Sequence, residues 1–300
     1  MTDVPPLVRI CFRLAGLPAD TSWADAVPRL IAAGVYLPCA KDDPDRRRAE
    51  GFVAAGQERQ RLLSQVSQTI SKVAKDVQMG GWWLKGWAAR SLYPAPEMRL
   101  MADLDLLLAD AVQVEKLASA LQEHGYVRQP QATPWPANFE LPLLAPEKVL
   151  VELHRSLGPP IFGDRLGQPE AQDGLRPLPP DWQIAHACLH CYQHAGRLKA
   201  YQWLDSWFLA QNEENLAGGI RLLSTRRLNA VLRFYQFHFA GNLGKTVGVA
   251  SRGTPWRLLY DGERWRFPLA WRGPKIVVVV EDRLRSCGRF FVSAIPARLR

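Results

Sequence analysis

Long apolar runs are missing from this 300-residue sequence. A membrane-spanning helix needs about 20 consecutive apolar residues, whereas the most apolar stretch, Ile276 to Val280, is strand-length and runs straight into Glu281 and Asp282. No helical membrane span is therefore expected. The N-terminus shows no basic-then-hydrophobic export signal either, because Asp3, Pro5 and Pro6 precede any apolar run. Cysteine is scarce: five residues, an odd number scattered from Cys11 to Cys287, make no disulfide framework and suit a reducing compartment. We expect a cytoplasmic protein. Internal repeats and low-complexity tracts are absent as well, which excludes solenoid and repeat architectures.

What remains is a chain that is 47% hydrophobic, enough to bury one large core or two modest ones, with nothing in its balance that suggests disorder. Its net charge of +9 is unevenly spread. From Arg252 to Arg300 there are eleven lysines and arginines against four acidic residues. A concentrated basic surface raises the encounter rate with polyanions such as nucleic acid, an acidic protein, a nucleotide or an anionic membrane, but it can equally be a plain solvated surface.

Four stretches of different character follow one another. Residues 1–75 read as a helical region: Ser22 is placed to cap a helix over Trp23 to Ala33, and a long amphipathic run extends from Gly51 to Val77. Residues 76–160 read as a mixed α/β core. It begins with a short strand, Trp82 to Leu84, and a helix from Gly86; a buried strand, Leu104 to Leu108, comes next. A helix from Val112 to His124 then stops at Gly125, and two strands, Phe139 to Leu144 and Lys148 to His154, are joined by a turn. Residues 161–240 open with a proline- and glycine-rich connection and become helical from Asp181 to Phe239. Residues 241–300 form the basic tail, whose clearest element is a strand over Ile276 to Val280.

The chemistry lies in the mixed stretch. Alternate residues of a strand share a face, so Asp103 and Asp105 project together while Leu104 and Leu106 point into the core. Two adjacent carboxylates repel unless a cation lies between them, and hard oxygen ligands suit Mg²⁺ or Mn²⁺. Removing either acid should relieve that repulsion and leave the fold intact. Glu152, the polar position of Val149-Leu150-Val151-Glu152-Leu153, can supply a third carboxylate. Three acids permit a two-ion arrangement, in which one ion lowers the pKa of an attacking hydroxyl and the other holds a triphosphate. An Asp-x-Asp pair alone is a weak signal, since surface strands often alternate acids; the surrounding pattern strengthens it.

That pattern is Leu84-Lys85-Gly86, Leu92-Tyr93-Pro94, Arg99, Asp103-Leu104-Asp105, His124-Gly125-Tyr126 and Glu152-Leu153-His154, with His190, His194, Arg197 and Trp203-Leu204-Asp205 beyond it. It resembles the poorly characterised nucleotidyltransferase family of the DNA polymerase beta-like superfamily, over roughly residues 23 to 210. The resemblance implies an α+β fold, with a nucleotidyltransferase-type mixed β-sheet core, flanking helices and a small strand-containing C-terminal tail. It also implies Asp103, Asp105 and Glu152 as catalytic metal ligands, an NTP as substrate, and a helix opened by Gly86 whose amides face the triphosphate. Better-known members carry Gly or Ser where Trp87 stands, so Lys85 or Arg99 would take over part of the phosphate contact. Both could equally be solvated or paired with the acids.

A second constellation is His186, His190 and His194, spaced to share one helical face. A single helix cannot converge these histidines with Cys188 and Cys191 into a closed zinc site, so His190 and His194 are expected to line the cleft or pack against the core. Arg197 and Asp205, eight apart, are expected to pair or to contact substrate. The functional expectation is transfer of NMP from an NTP to a hydroxyl-bearing acceptor of open identity: a small molecule, a protein or peptide, or RNA. The alternative is a non-catalytic module of the same fold that binds RNA or a protein partner.

Overall fold

The computed structural model describes residues 5–131, 135, 138–170, 173–243, 260–261 and 264–265. The chain divides into two compact units, Met1–Val247 and Gly248–Arg300. In the second unit Tyr260–Asp261 pairs antiparallel with Arg264–Trp265. The strand expected over Ile276 to Val280 and most of the tail's basic residues lie outside the described residues.

The first unit opens with helices α1 (Pro6–Leu14), α2 (Trp23–Ala33) and α3 (Glu50–Asp76). Ser22 caps α2 as its spacing predicts, its side chain accepting from the Asp25 amide. Helix α3 buries Leu63, Val66, Ile70 and Val73, one stripe at helical spacing, against the sheet.

The sheet contains β1 (Gly81–Trp83), β2 (Asp103–Leu107), β3 (Val127–Arg128), β4 (Glu140–Leu144), β5 (Leu150–His154) and β6 (Leu175–Pro177), in the order β3-β4-β5-β2-β1-β6. β2 runs parallel to β5 and antiparallel to β1, while β4 is antiparallel to β5. This is the mixed sheet of a nucleotidyltransferase-type α+β fold. Between strands lie α4 (Lys85–Ala89), α5 (Ala111–Glu123) and α6 (Pro160–Leu166). Asp110 caps α5, and Gly125, at a φ of 84° that only glycine adopts without cost, turns the chain after it. The helical half is α7 (Pro180–Gln193), α8 (Ala200–Leu209), α9 (Glu213–Thr225) and α10 (Asn229–Leu243).

Two elements occur where the sequence suggested only a connection. The prolines and glycines of residues 159–167 disguise α6, yet Pro160 sits in its first turn, where a missing N–H costs nothing. β6 ends in Pro177 and is tolerated because it is an edge strand, paired on one side only.

The two faces of the sheet have opposite characters. Leu104, Leu106, Val151 and Leu153 point to one face, where α3 and α5 cover them with Leu63, Ile70, Val114 and Leu117. Trp83 and Trp87 belong to this same core. Asp103, Asp105, Glu152 and His154 point to the other face, toward α4, which in turn packs on α7 and α8. No helix among the described residues is long and apolar enough to cross a membrane.

Candidate active site

The parallel pairing of β2 and β5 sets Asp105 directly opposite Glu152. Like charges opposed across strands destabilise a sheet unless something neutralises them. Lys85, the first residue of α4, does so: its Nζ lies 2.5 Å from Asp105 Oδ1 and 3.3 Å from Glu152 Oε2. Lys85 holds a φ of 46°, uncommon for a residue with a Cβ. His154, two residues after Glu152 and so on the same face, brings Nε2 to 3.0 Å from Asp105 Oδ1 and 3.7 Å from Glu152 Oε2. Its Nδ1 lies 3.9 Å from Glu140 Oε2.

These contacts fix the protonation states. Burial alone would raise the Asp105 pKa, but the charge of Lys85 and the hydrogen bond with His154 hold it well below the usual carboxylate range. Burial alone would discharge His154, yet its hydrogen bond with Asp105 and the nearby Glu152 carboxylate push its pKa up to about 9. Asp103 behaves in the opposite way: burial first, then the charge of Asp105, raise its pKa. Among the described residues no hydrogen bond or ion pair holds its carboxylate.

Four carboxylates, Asp103, Asp105, Glu140 and Glu152, thus face two cations, Lys85 and His154. The surplus negative charge and the open Asp103 carboxylate suit a divalent cation. Asp105, Glu152 and His154 together offer ligand atoms within 4.8 Å of one another. Carboxylate oxygens suit Mg²⁺ or Mn²⁺, and His154 could join them only after losing its proton.

Gly86 is required by packing. A Cβ there would fall 2.7 Å from Met101 Cγ and 3.2 Å from the Arg99 guanidinium carbon, so only glycine lets α4 lie against the chain entering β2. Arg99 does not join the carboxylate cluster. Its Nε and Nη2 each lie 2.7 Å from an Asp205 oxygen, Tyr93 Oη donates to Asp205 at 2.7 Å, and the guanidinium stacks 4.4 Å from the Tyr201 ring. Arg197, expected as the partner of Asp205, is exposed and lies in the connection between α7 and α8, off the helix that carries Asp205. Trp87 is buried, with the Arg90 guanidinium stacked 3.4 Å from its ring.

The α7 histidines form a row of rings, His186 to His190 at 6.0 Å and His190 to His194 at 4.3 Å. Gln202 Oε1 accepts from the Lys199 amide, so its NH₂ faces His190 Nε2 at 3.0 Å and makes that nitrogen an acceptor. Burial, reinforced by the charges of Lys85 and His154, depresses His186 to about 3. His186 and His190, both with pKa values lowered by burial, are neutral and border the charged cluster. His154 is the site residue that sequence reasoning missed. The alternation argument that pairs Asp103 with Asp105 would also pair Glu152 with His154.

A cavity of about 740 Å³ lies beyond the C-terminal ends of β2 and β5, lined by Trp82, Leu107, Asp110, Gln113 and Gln168. It includes none of the clustered carboxylates, so we place the chemistry at the cluster. No curated protein matches the chain. A family profile described as uncharacterised nucleotidyltransferase matches residues 46–236, from just before α3 into α10 and across the whole sheet. The chain therefore belongs to this uncharacterised nucleotidyltransferase family.

Proposed function

We propose that this protein moves an NMP unit from an NTP to a hydroxyl-bearing acceptor, with Asp103, Asp105 and Glu152 as the ligands of Mg²⁺ or Mn²⁺. The observation that carries this reading is the register of β2 on β5, which opposes Asp105 to Glu152 and sets Asp103 on the same face beside α4. Family membership supports the general reaction. The acceptor O–H and the bond from the α-phosphorus to the bridging oxygen break, a new bond from the acceptor oxygen to the α-phosphorus forms, the proton passes to solvent and pyrophosphate leaves. When bound, the metal would lower the pKa of the acceptor hydroxyl and neutralise charge on the leaving pyrophosphate.

The chain's own residues have separate tasks in this scheme. Lys85 pairs with triphosphate oxygens, and the backbone at Gly86 lets that triphosphate approach α4. His154 orients Asp105. Arg99 acts at one remove, holding the segment before Asp103 against α8. The neutral imidazoles of α7 border the acceptor's side of the cleft.

The test is incubation of the full chain with each labelled NTP and Mg²⁺ or Mn²⁺ in cell lysate, followed by separation of RNA, protein and small molecules. Label should enter one class, and Asp103→Asn or Asp105→Asn should lower that transfer by more than about a hundredfold, the loss of several kcal/mol of transition-state stabilisation. Equal transfer by wild type and both variants would remove the metal assignment. NTP binding without any turnover would favour the non-catalytic module.

A further inference from the structure

We infer that Lys85 is an internal counter-ion that a divalent metal must displace, so that metal and triphosphate bind this site cooperatively. The inference rests on the nucleotidyl-transfer reading and adds an order of events to it. Lys85 Nζ and His154 Nε2 converge on one oxygen, Asp105 Oδ1, at 2.5 and 3.0 Å, and Lys85 reaches Glu152 as well. Asp105 and Glu152 are also two of the three residues whose ligand atoms cluster for a metal. A divalent cation needs oxygen lone pairs at about 2.0–2.2 Å, and an ammonium group bonded to the same carboxylates both occupies those directions and repels the ion.

Lys85 has a way out. It opens α4, its side chain is 24% exposed, and its long flexible stem lets Nζ swing away from Asp105. Leaving the acids without a new partner strands a cation next to a metal, which is unfavourable. A triphosphate would remove that obstacle, since its oxygens can accept Lys85 and also hold the ion. Each ligand then makes the site better for the other, and the coupling is reciprocal.

The decisive measurement is Mn²⁺ binding to the full chain without nucleotide, read from the electron paramagnetic resonance of free Mn²⁺. Lys85→Met and Lys85→Gln should bind Mn²⁺ on the order of tenfold more tightly than wild type, since the competing cation is gone. A merely structural lysine would leave Mn²⁺ affinity unchanged or weaken it. In wild type, acetylation of Lys85 by acetic anhydride, followed by peptide mass spectrometry, should be slow in metal-free protein. It should quicken at saturating Mn²⁺ and slow again when tripolyphosphate is added with the metal. This second readout decides the matter alone should the variants fail to fold.

Wild-type affinity in both Lys85 variants, or labelling indifferent to Mn²⁺, would overturn the inference. Asp105→Asn separates the two layers. If it loses Mn²⁺ while the Lys85 variants match wild type, only the displacement idea falls. If it binds Mn²⁺ as wild type does, the metal assignment falls and takes the inference with it.

Discussion

Two buried clusters that pair opposite charges both touch α4, and they are built to different ends. Around Asp205 the account balances: one guanidinium meets one carboxylate through two 2.7 Å hydrogen bonds, and Tyr93 donates a third. Gln60 adds a hydrogen bond at 2.5 Å to the Arg99 carbonyl, so α3, α8 and the chain entering β2 meet at one residue. Around Asp105 the account does not balance, because one lysine and one histidine serve several acids. A saturated cluster fixes geometry and has nothing left for a ligand. An unsaturated cluster has carboxylates to spare, and the saturated one holds the chain that enters β2 just before them.

The largest effect should come from breaking the balanced cluster. Asp205→Ala leaves Arg99 buried without a counter-charge, and stranding one partner of a buried pair costs about 3–5 kcal/mol. Urea unfolding measures this directly. Replacing all three partners with apolar ones, Arg99→Met with Asp205→Leu and Tyr93→Phe, should recover much of the loss, since it strands neither the guanidinium nor the Tyr93 hydroxyl. A loss below about 1 kcal/mol for Asp205→Ala would place the pair among ordinary exposed ion pairs and end the contrast.

The unbalanced cluster should reveal itself through pH in the metal-free protein. Because the folded pKa of His154 is raised to about 9, above the ordinary imidazole value of 6.5, its charged form contributes stability that is fully present below pH 6.5. That contribution disappears as pH rises through about 9, an expected loss of roughly 2–3 kcal/mol. Unfolding free energies at pH 6 and pH 10 should differ by that amount in wild type and by much less in His154→Asn. Asp105→Asn should flatten the dependence too, because it removes the carboxylate that His154 and Lys85 share. The structure gives the Asp105 carboxylate two cationic partners, so Asp105→Asn is expected to cost more than the repulsion it relieves, unlike Asp103→Asn.

Local patterns in the sequence carry a good deal of this molecule. The Ser22 cap, the stripe on α3 and the alternation of Asp103-Leu104-Asp105-Leu106 are periodicities of neighbouring residues, and each is found where it was read. Glu152 stands out as the one acid in an apolar strand, and the register places it opposite Asp105. The Arg99 and Asp205 pair had no such signal, since 106 residues separate them and only the docking of α8 brings them together. Strand β3 is two residues long, too short for alternation to show. β6 and α6 were hidden by prolines, whose acceptability depends on whether a strand is at an edge or a residue is in a first turn. Lys85 was open in the sequence between a phosphate contact and a partner of the acids; its place between Asp105 and Glu152 goes with a backbone angle that residue order does not reveal.

The smallest expected effect is also the sharpest separation of the two aspartates. Asp103 has its pKa raised above 3.8 by burial and then by the Asp105 charge, so the folded state disfavours its ionised form. At neutral pH it therefore subtracts from stability, and the penalty fades only as pH falls toward the acid range. Asp103→Asn removes the charge and strands no cation, because no ion pair holds this carboxylate among the described residues. Thermal unfolding without metal should then be unchanged or shifted up by at most about 4 °C, the equivalent of about 1 kcal/mol. Added Mn²⁺ should reverse the order, because wild type gains stabilisation by binding and the variant gains less. If Asp103→Asn instead melts well below wild type without metal, Asp103 is part of the folded framework, and the surplus charge assigned to this cluster is smaller than its four carboxylates imply.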